Sequence, residues 1–291
     1  MIEAGLAAGV CLPALDAACS GIRMKRHLAI LAVGVTLANA RAGAVVYTAQ
    51  SRAVSVLTTV DAGAASASAP DFAPFVASVE RAVQFVGAGG VIRVNHAFAG
   101  IDCELDPNRL RLLGQFAGSG GLSVAPDGAE VQEFGQGRIT ADIDFELGTR
   151  VMMTIAAPAR PVSGAGDTYK VRLRGPGGGP AGALVEIDET MPPEPLERTI
   201  SLEPGAYSLA YEVQHTATGD PTTASPGLIL LFRSPDLDSD GVVGTADLVR
   251  FLGRFGQSAG VWDEAAACDL NADGVVDSAD LVTLIGRFGG V

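Results

Sequence analysis

The sequence predicts an all-β sandwich of jelly-roll type followed by a small α-helical module, on three observations. Apolar and polar residues alternate with period two through residues 139–147 and several later stretches. Glycine supplies 37 of 291 residues and aromatic residues only 5%, a composition of many turns and short strands. From Asp236 the period changes: an acidic twelve-residue stretch runs into an apolar i, i+3, i+4, i+7 pattern, and the same design recurs from Asp269, 33 positions on (269 − 236).

The amino terminus comes first in order. Met24-Lys25-Arg26-His27 is a charged start, residues 28–37 form a short apolar core, and Ala38-Asn39-Ala40 or Ala40-Arg41-Ala42 offers small residues for cleavage, the layout of a secretory signal peptide. The apolar run is shorter than the ~20 residues that a membrane-spanning helix needs; a buried helix is its alternative reading. The expected division is an upstream extension over 1–23 with translation starting at Met24, a signal peptide over 24–42, a β-sandwich over 45–233 and the helical module over 234–291. A secreted, extracellular or cell-surface location follows. Cys11 and Cys19 precede Met24, which leaves Cys103 and Cys268 either to bridge the two domains or to stay as buried thiols.

In the body, Ile139, Ala141, Ile143, Phe145 and Leu147 share one face against Thr140, Asp142, Asp144 and Glu146. Val151, Met153 and Ile155 continue the alternation, as do Tyr169, Val171 and Leu173, and then Tyr207, Leu209, Tyr211 and Val213. Half-buried strands of this kind pack as two sheets. Leu228-Ile229-Leu230-Leu231-Phe232 is apolar throughout and predicts a central strand covered on both faces. Residues 175–182 and 203–205 are turns, residues 191–195 a proline-rich loop, and residues 62–74, rich in Ala, Ser and Pro, an exposed excursion rather than a strand.

Chemistry is sparse there. The glycine clusters lack the Lys-Ser or Lys-Thr of a phosphate cradle, and neither a Gly-x-Ser-x-Gly elbow nor a His-Glu-x-x-His pattern occurs. His96 and His215 read as ordinary strand residues. Asp142, Asp144 and Glu146 alternate as a solvated strand face does rather than as a pair for glycoside hydrolysis. Tyr47, Tyr169, Tyr207 and Tyr211 offer rings for sugar, yet three of them fall on the apolar side. No catalytic residue is assigned, and a net charge of −13 without a basic stripe argues against nucleic acid.

Each acidic stretch places oxygen side chains at positions 1, 3, 5 and 12 and glycine at 6. That order suits a hard cation that takes six to eight oxygens at roughly 2.3–2.6 Å, so two Ca²⁺ ions are expected. The first loop offers Asp236, Asp238, Asp240, the Val242 carbonyl and Asp247, with a water at Gly244. The second offers Asp269, Asn271, Asp273, the Val275 carbonyl, Asp277 directly or through water, and Asp280. Thr245 and Ser278 are the expected N-caps and Gly256 and Gly289 the expected helix ends. Leu248, Phe251, Leu252 and Phe255, and likewise Leu281, Leu284, Ile285 and Phe288, form stripes expected to pack antiparallel about an approximate twofold axis.

The Asp-Leu-Asn-x-Asp-Gly-Val-Val-Asp-Ser-Ala-Asp-Leu run from Asp269 and its partner copy resemble the type I dockerin module. The resemblance covers about a fifth of the chain (58 of 291 residues). It implies a duplicated Ca²⁺ loop-helix that attaches a secreted protein to a cohesin-like or other cell-envelope partner; the body resembles secreted bacterial sandwich domains only loosely. Where cellulosomal dockerins place Ser-Thr and Lys-Arg for cohesin recognition, this chain has Thr245-Ala246, Ser278-Ala279, Leu252-Gly253 and Ile285-Gly286. The metal ligands carry over; the partner surface is apolar instead, for another envelope partner or for packing on the sandwich. Docking or anchoring is therefore the expected function. The alternative is a polysaccharide-associated component of an extracellular complex, binding glycan or hydrolysing it.

Overall fold

The computed structural model describes residues 45–58, 63–86, 92–124, 129–158, 166–176, 183–188, 195–219 and 222–289. The expected extension and signal peptide, residues 177–182 of the glycine-rich turn and 191–194 of the proline-rich loop lie outside them. In chain order the strands are β1 (Val45–Thr58), β2 (Gly63–Ser68), β3 (Phe75–Val86), β4 (Ile92–Asp106), β5 (Arg109–Ser119), β6 (Gly121–Val124), β7 (Glu130–Glu133) and β8 (Gly135–Leu147). They continue with β9 (Val151–Ala157), β10 (Thr168–Arg174), β11 (Ala183–Ile187), β12 (Leu196–Leu202), β13 (Gly205–Ala217), β14 (Thr222–Ala224) and β15 (Gly227–Arg233). Helix α1 (Thr245–Leu252), a 3-10 helix (Glu264–Cys268) and α2 (Ser278–Ile285) follow.

Two sheets face each other. One runs β11-β10-β13-β8-β1-β2; the other runs β12-β9-β15-β5-β4-β3, with β14 added beside β5. Every named pairing is antiparallel, and the period-two pattern sets the register: Ile139 lies opposite Val213, Ile143 opposite Leu209 and Phe145 opposite Tyr207. The inward residues of both sheets form one core, in which Phe145 stacks on Tyr207 and meets Phe232 of the other sheet edge-on. Tyr169, Tyr207 and Tyr211 are buried in this core, so they offer no sugar platform.

Two expectations change. Residues 63–68, expected as an excursion, form β2 and pair with β1 from Ala53–Ser68 to Thr58–Gly63. Alanine and serine have weak strand preference, but their alternation lets Ala65 and Ala67 pack against the core while the serines face out. The segment after β2 is held by Arg52, a buried guanidinium that donates to the carbonyls of Asp71 and Ala73 and to Cys103 Sγ. The disulfide alternative also falls: Cys103 lies in the sandwich core and Cys268 in the helical core, both as free thiols.

β15 is buried along its whole length, as its apolar run predicts. Leu228, Leu230 and Phe232 enter the sandwich core, whereas Ile229 and Leu231 point out of it and are covered by Val261 and Ala266 of the helical segment. The second covering layer is thus the C-terminal segment itself. Residues 39–291 group as one compact unit. Among the described residues no helix is long and apolar enough to cross a membrane.

Candidate functional site

The two acidic loops have matching backbones. Position 4 of each has positive φ, Ser239 at 61° and Ala272 at 65°, and position 6 of each is glycine at 93°. Gly241 and Gly274 take this turn without a Cβ penalty, but Ser239 and Ala272 do not. Ala272→Gly is expected to raise stability by about 0.5–1 kcal/mol, because relief of the strained φ exceeds the added freedom of the unfolded chain. Urea unfolding of the single variant checks this.

Side chains within each loop are drawn inward by the backbone. Gly241 N donates to Asp236 Oδ2 at 3.0 Å, Asp240 N to Asp238 Oδ1 at 3.1 Å and Val242 N to Asp240 Oδ1 at 2.8 Å. The second loop repeats this, with Gly274 N to Asp269 Oδ2 at 3.1 Å, Asp273 N to Asn271 Oδ1 at 2.9 Å and Val275 N to Asp273 Oδ1 at 3.0 Å. The last acid of each loop folds back over its start. Asp247 accepts from Leu237 N, Asp238 N and Gly244 N at 2.6, 3.0 and 2.7 Å; Asp280 accepts from Asn271 N and Asp277 N at 3.0 and 2.9 Å.

These bonds leave oxygens free toward the loop centre. Asp236, Asp238 and Asp240 each present a carboxylate oxygen within 4.8 Å of the others, the span of ligands at opposite sides of one hard cation. Asp236 is buried, and its Oδ1 has no hydrogen-bond partner. Burial pushes its carboxyl above the usual range; the Gly241 N–H opposes this, and the charges of Asp247, Asp240 and Asp238 add to it. An orphaned buried acid among acids fits a Ca²⁺ site in donor type and spacing. In the second loop, Asp269 is also raised by burial, with the Gly274 N–H and Arg233 opposing. Asn271 stands at position 3 there and Asp277 at position 9, so each loop holds four acids, but Arg233 Nη2 lies 3.7 Å from Asp269 Oδ2 and offsets part of the charge of the second loop. Val242 and Val275 keep their side chains exposed at position 7.

The helix ends shift from expectation. Gly244 and Asp277, one residue before Thr245 and Ser278, have the extended backbone of N-caps, and Asp277 Oδ1 accepts from Ala279 N at 2.7 Å. Each helix stops at Leu252 or Ile285 and tightens into i→i−3 turns before Gly256 and Gly289 reverse the chain at φ 79° and 73°. Gly256 N then donates to Val276 O at 2.8 Å and Gly289 N to Val243 O at 2.9 Å, a reciprocal pair that fastens the halves together.

Only part of each stripe is buried. Phe251 and Leu284 fill the small core with Leu237, Leu270, Val243 and Val276, and Leu248 and Leu281 pack partly against it. Val249, Leu252 and Phe255, with their counterparts Val282, Ile285 and Phe288, are between 47% and 70% exposed. Leu252 and Ile285 therefore do not serve packing on the sandwich.

Sequence reasoning missed the residues that seat the loops. Arg233 donates from Nε to the Asp269 carbonyl at 2.6 Å and from Nη1 to Thr154 Oγ1. Asn108 Nδ2 and Arg250 Nη1 both donate to the Leu237 carbonyl at 3.0 Å. An arginine ending an otherwise apolar strand beside an acidic loop was a readable signal. Asn108, 129 residues from Leu237, had none. Elsewhere, His215 is buried between Asp167 and Thr222, and His96 meets Glu80 at the surface. Asp142, Asp144 and Glu146 are exposed on the outer face of the β8 sheet. Burial pushes the Cys268 thiol up to about 11, which leaves it a poor nucleophile.

Fold and site together define a two-sheet β-sandwich carrying a duplicated acidic loop-helix element. No family model and no curated protein matches the chain. Among solved structures it is similar to a chain studied for the promiscuous specificity of carbohydrate-binding modules from the β-sandwich superfamily, at 11% identity over 63% of this chain and 84% of that one, with a TM-score of 0.18. A superposition that loose carries no argument about ligand or function.

Proposed function

We propose that residues 234–291 form a dockerin-type module that binds two Ca²⁺ ions and docks the sandwich to a protein partner outside the cell. The observation that carries this reading is the repeated apolar face of Val249, Leu252 and Phe255 with Val282, Ile285 and Phe288, exposed on two helices and the turns that end them, the helix starts being held by the acidic loops. Six large apolar side chains left in water on so small a segment favour a partner with an apolar surface. The free Asp236 oxygen supports the metal half of the reading. Asp236, Asp238, Asp240, Asp247 and the Val242 carbonyl would hold the first ion, and Asp269, Asn271, Asp273, Asp280 and the Val275 carbonyl the second, with Asp277 nearby. The ions supply charge neutralisation that lets the buried acids sit together. Export through the signal-type segment at 24–42 places the module where Ca²⁺ is abundant, and the partner is a cohesin-like or other cell-envelope protein.

Calorimetry of the full chain is expected to show two Ca²⁺ per molecule. The first loop, with carboxylates at all of positions 1, 3 and 5, is expected to bind more tightly. In pull-downs from the source cell's envelope fraction, a partner is expected to be retained in Ca²⁺ and released by chelator. Leu252→Asp with Ile285→Asp is expected to lower its affinity at least about tenfold while Ca²⁺ uptake is unchanged. Absence of Ca²⁺ heat sinks the metal reading, and retention indifferent to both chelator and the double variant sinks the docking face.

A further inference from the structure

We infer that the outer face of the seven-stranded sheet carries a binding groove for a neutral glycan, built jointly by the sandwich and the helical segment. The groove, of about 690 Å³, lies within the range of small-ligand sites. Its floor is β4 and β5, its outer wall is β3, and its far wall is Trp262, the only tryptophan in the chain.

Trp262 is held in place rather than loosely attached. Its neighbour Val261 is buried with Ala266 against Ile229 and Leu231. The turn around it is closed by Asp263 N to Gly260 O at 2.7 Å and Gly260 N to Asp263 Oδ2 at 3.0 Å. The indole is nonetheless 45% exposed. Phe98 also lines the groove, and its ring leans over Gly100: a Cβ built there would lie 3.4 Å from Phe98 Cζ. Glycine thus lets the ring lie low on the sheet. Two aromatic rings line the groove together with Ser78, Gln115 and Asp102, which offer hydrogen-bonding groups.

This set of groups selects its ligand by chemistry. The faces of pyranose rings are patches of C–H bonds with slight positive charge, which settle against the negative face of an aromatic ring, while their rims are hydroxyls that need donors and acceptors. Charge decides between classes of glycan. Among the described residues Asp102 is the one ionisable side chain lining the groove, and Arg111 Nη2 holds it at 3.1 Å. The one lining charge among the described residues is thus an anion already paired with a cation, which disfavours phosphate, sulfate or uronate and favours an uncharged ligand. This site shares no side chain with the acidic loops or the exposed helix face and stands independently of the docking reading.

The test uses the full chain in Ca²⁺, applied to insoluble cellulose, xylan, mannan and chitin and titrated with their soluble oligosaccharides, with Trp262 emission as reporter. Retention on at least one neutral polymer is expected, with a saturable emission change. Trp262→Ala is expected to weaken retention at least about tenfold, as loss of an aromatic anchor does, and Gln115→Ala severalfold. Both variants are expected to keep Ca²⁺ uptake and the circular dichroism of the parent. Failure of all four polymers to retain the chain or move its emission overturns the proposal. So does undiminished retention of both variants, or a preference for pectin or alginate over every neutral polymer.

Discussion

Asparagine at both Asp236 and Asp269 is expected to make thermal stability independent of Ca²⁺, whereas the parent chain is expected to gain about 4 kcal/mol per ion when free Ca²⁺ is about a thousandfold above Kd. Asparagine can keep the hydrogen bonds that Gly241 and Gly274 donate to these side chains while removing the charge that attracts the ion. In chelator the single variant Asp236→Asn is expected to melt at or above the parent, because it no longer places an uncompensated carboxylate in a buried site, whereas Asp269→Asn also takes the carboxylate away from Arg233 and does not share that gain. Melting curves in Ca²⁺ and in chelator give both comparisons; identical Ca²⁺ responses in parent and variant would count decisively against metal at these positions. The effect is large because the helical core is small: little apolar surface offsets the repulsion among the loop acids.

Arg233→Ala is expected to cost about 3–5 kcal/mol, the usual loss when one partner of a buried pair is removed. The guanidinium is almost fully enclosed and joins three groups, the Asp269 carbonyl, the Asp269 carboxylate and Thr154. Alanine removes this donor from the Asp269 carbonyl and the counter-charge from the Asp269 carboxylate, while Thr154 keeps Thr199 and the carboxylate keeps Asp273 N and Gly274 N, and it loosens the seat of the second loop. Arg233→Lys is expected to recover only part of the loss, since an ammonium lacks the fork that reaches the carbonyl and the hydroxyl together. Urea unfolding at saturating Ca²⁺ measures both; a cost below about 1 kcal/mol for alanine would mean that the contact is incidental.

What the sequence made legible was periodic. Strict alternation in residues 139–147 identified a half-buried strand, and the unbroken apolar run 228–232 identified a strand covered twice. The loop spacing picked out the side chains that accept backbone N–H bonds within the two loops, and in the first of them Asp236, Asp238 and Asp240 lie close together. It did not reveal what lay opposite an apolar residue. Leu252 and Phe251 are adjacent and equally hydrophobic, yet one is exposed and the other fully buried, because an eight-residue helix with one small partner has room to bury only one edge of its stripe. β2 escaped because small residues pair through backbone hydrogen bonds that no side-chain preference announces. Trp262 lay beyond reach for a different reason: its significance depends on strands more than 140 residues earlier (262 − 115 = 147), brought beside it by the seating of Val261 on β15.

The passage from sandwich to helices takes two residues, Ser234 and Pro235, between the end of β15 and the first loop acid. β15 lies inside its sheet, hydrogen-bonded to β9 on one side and β5 on the other. A pull applied to the helices enters the sandwich along this interior strand, where both ladders resist in shear instead of peeling one bond at a time from an edge. The C-terminal segment is thus joined to the sandwich as a rigid bracket, not a tether, and the side of the sandwich that bears Trp262 keeps a set bearing relative to the helices.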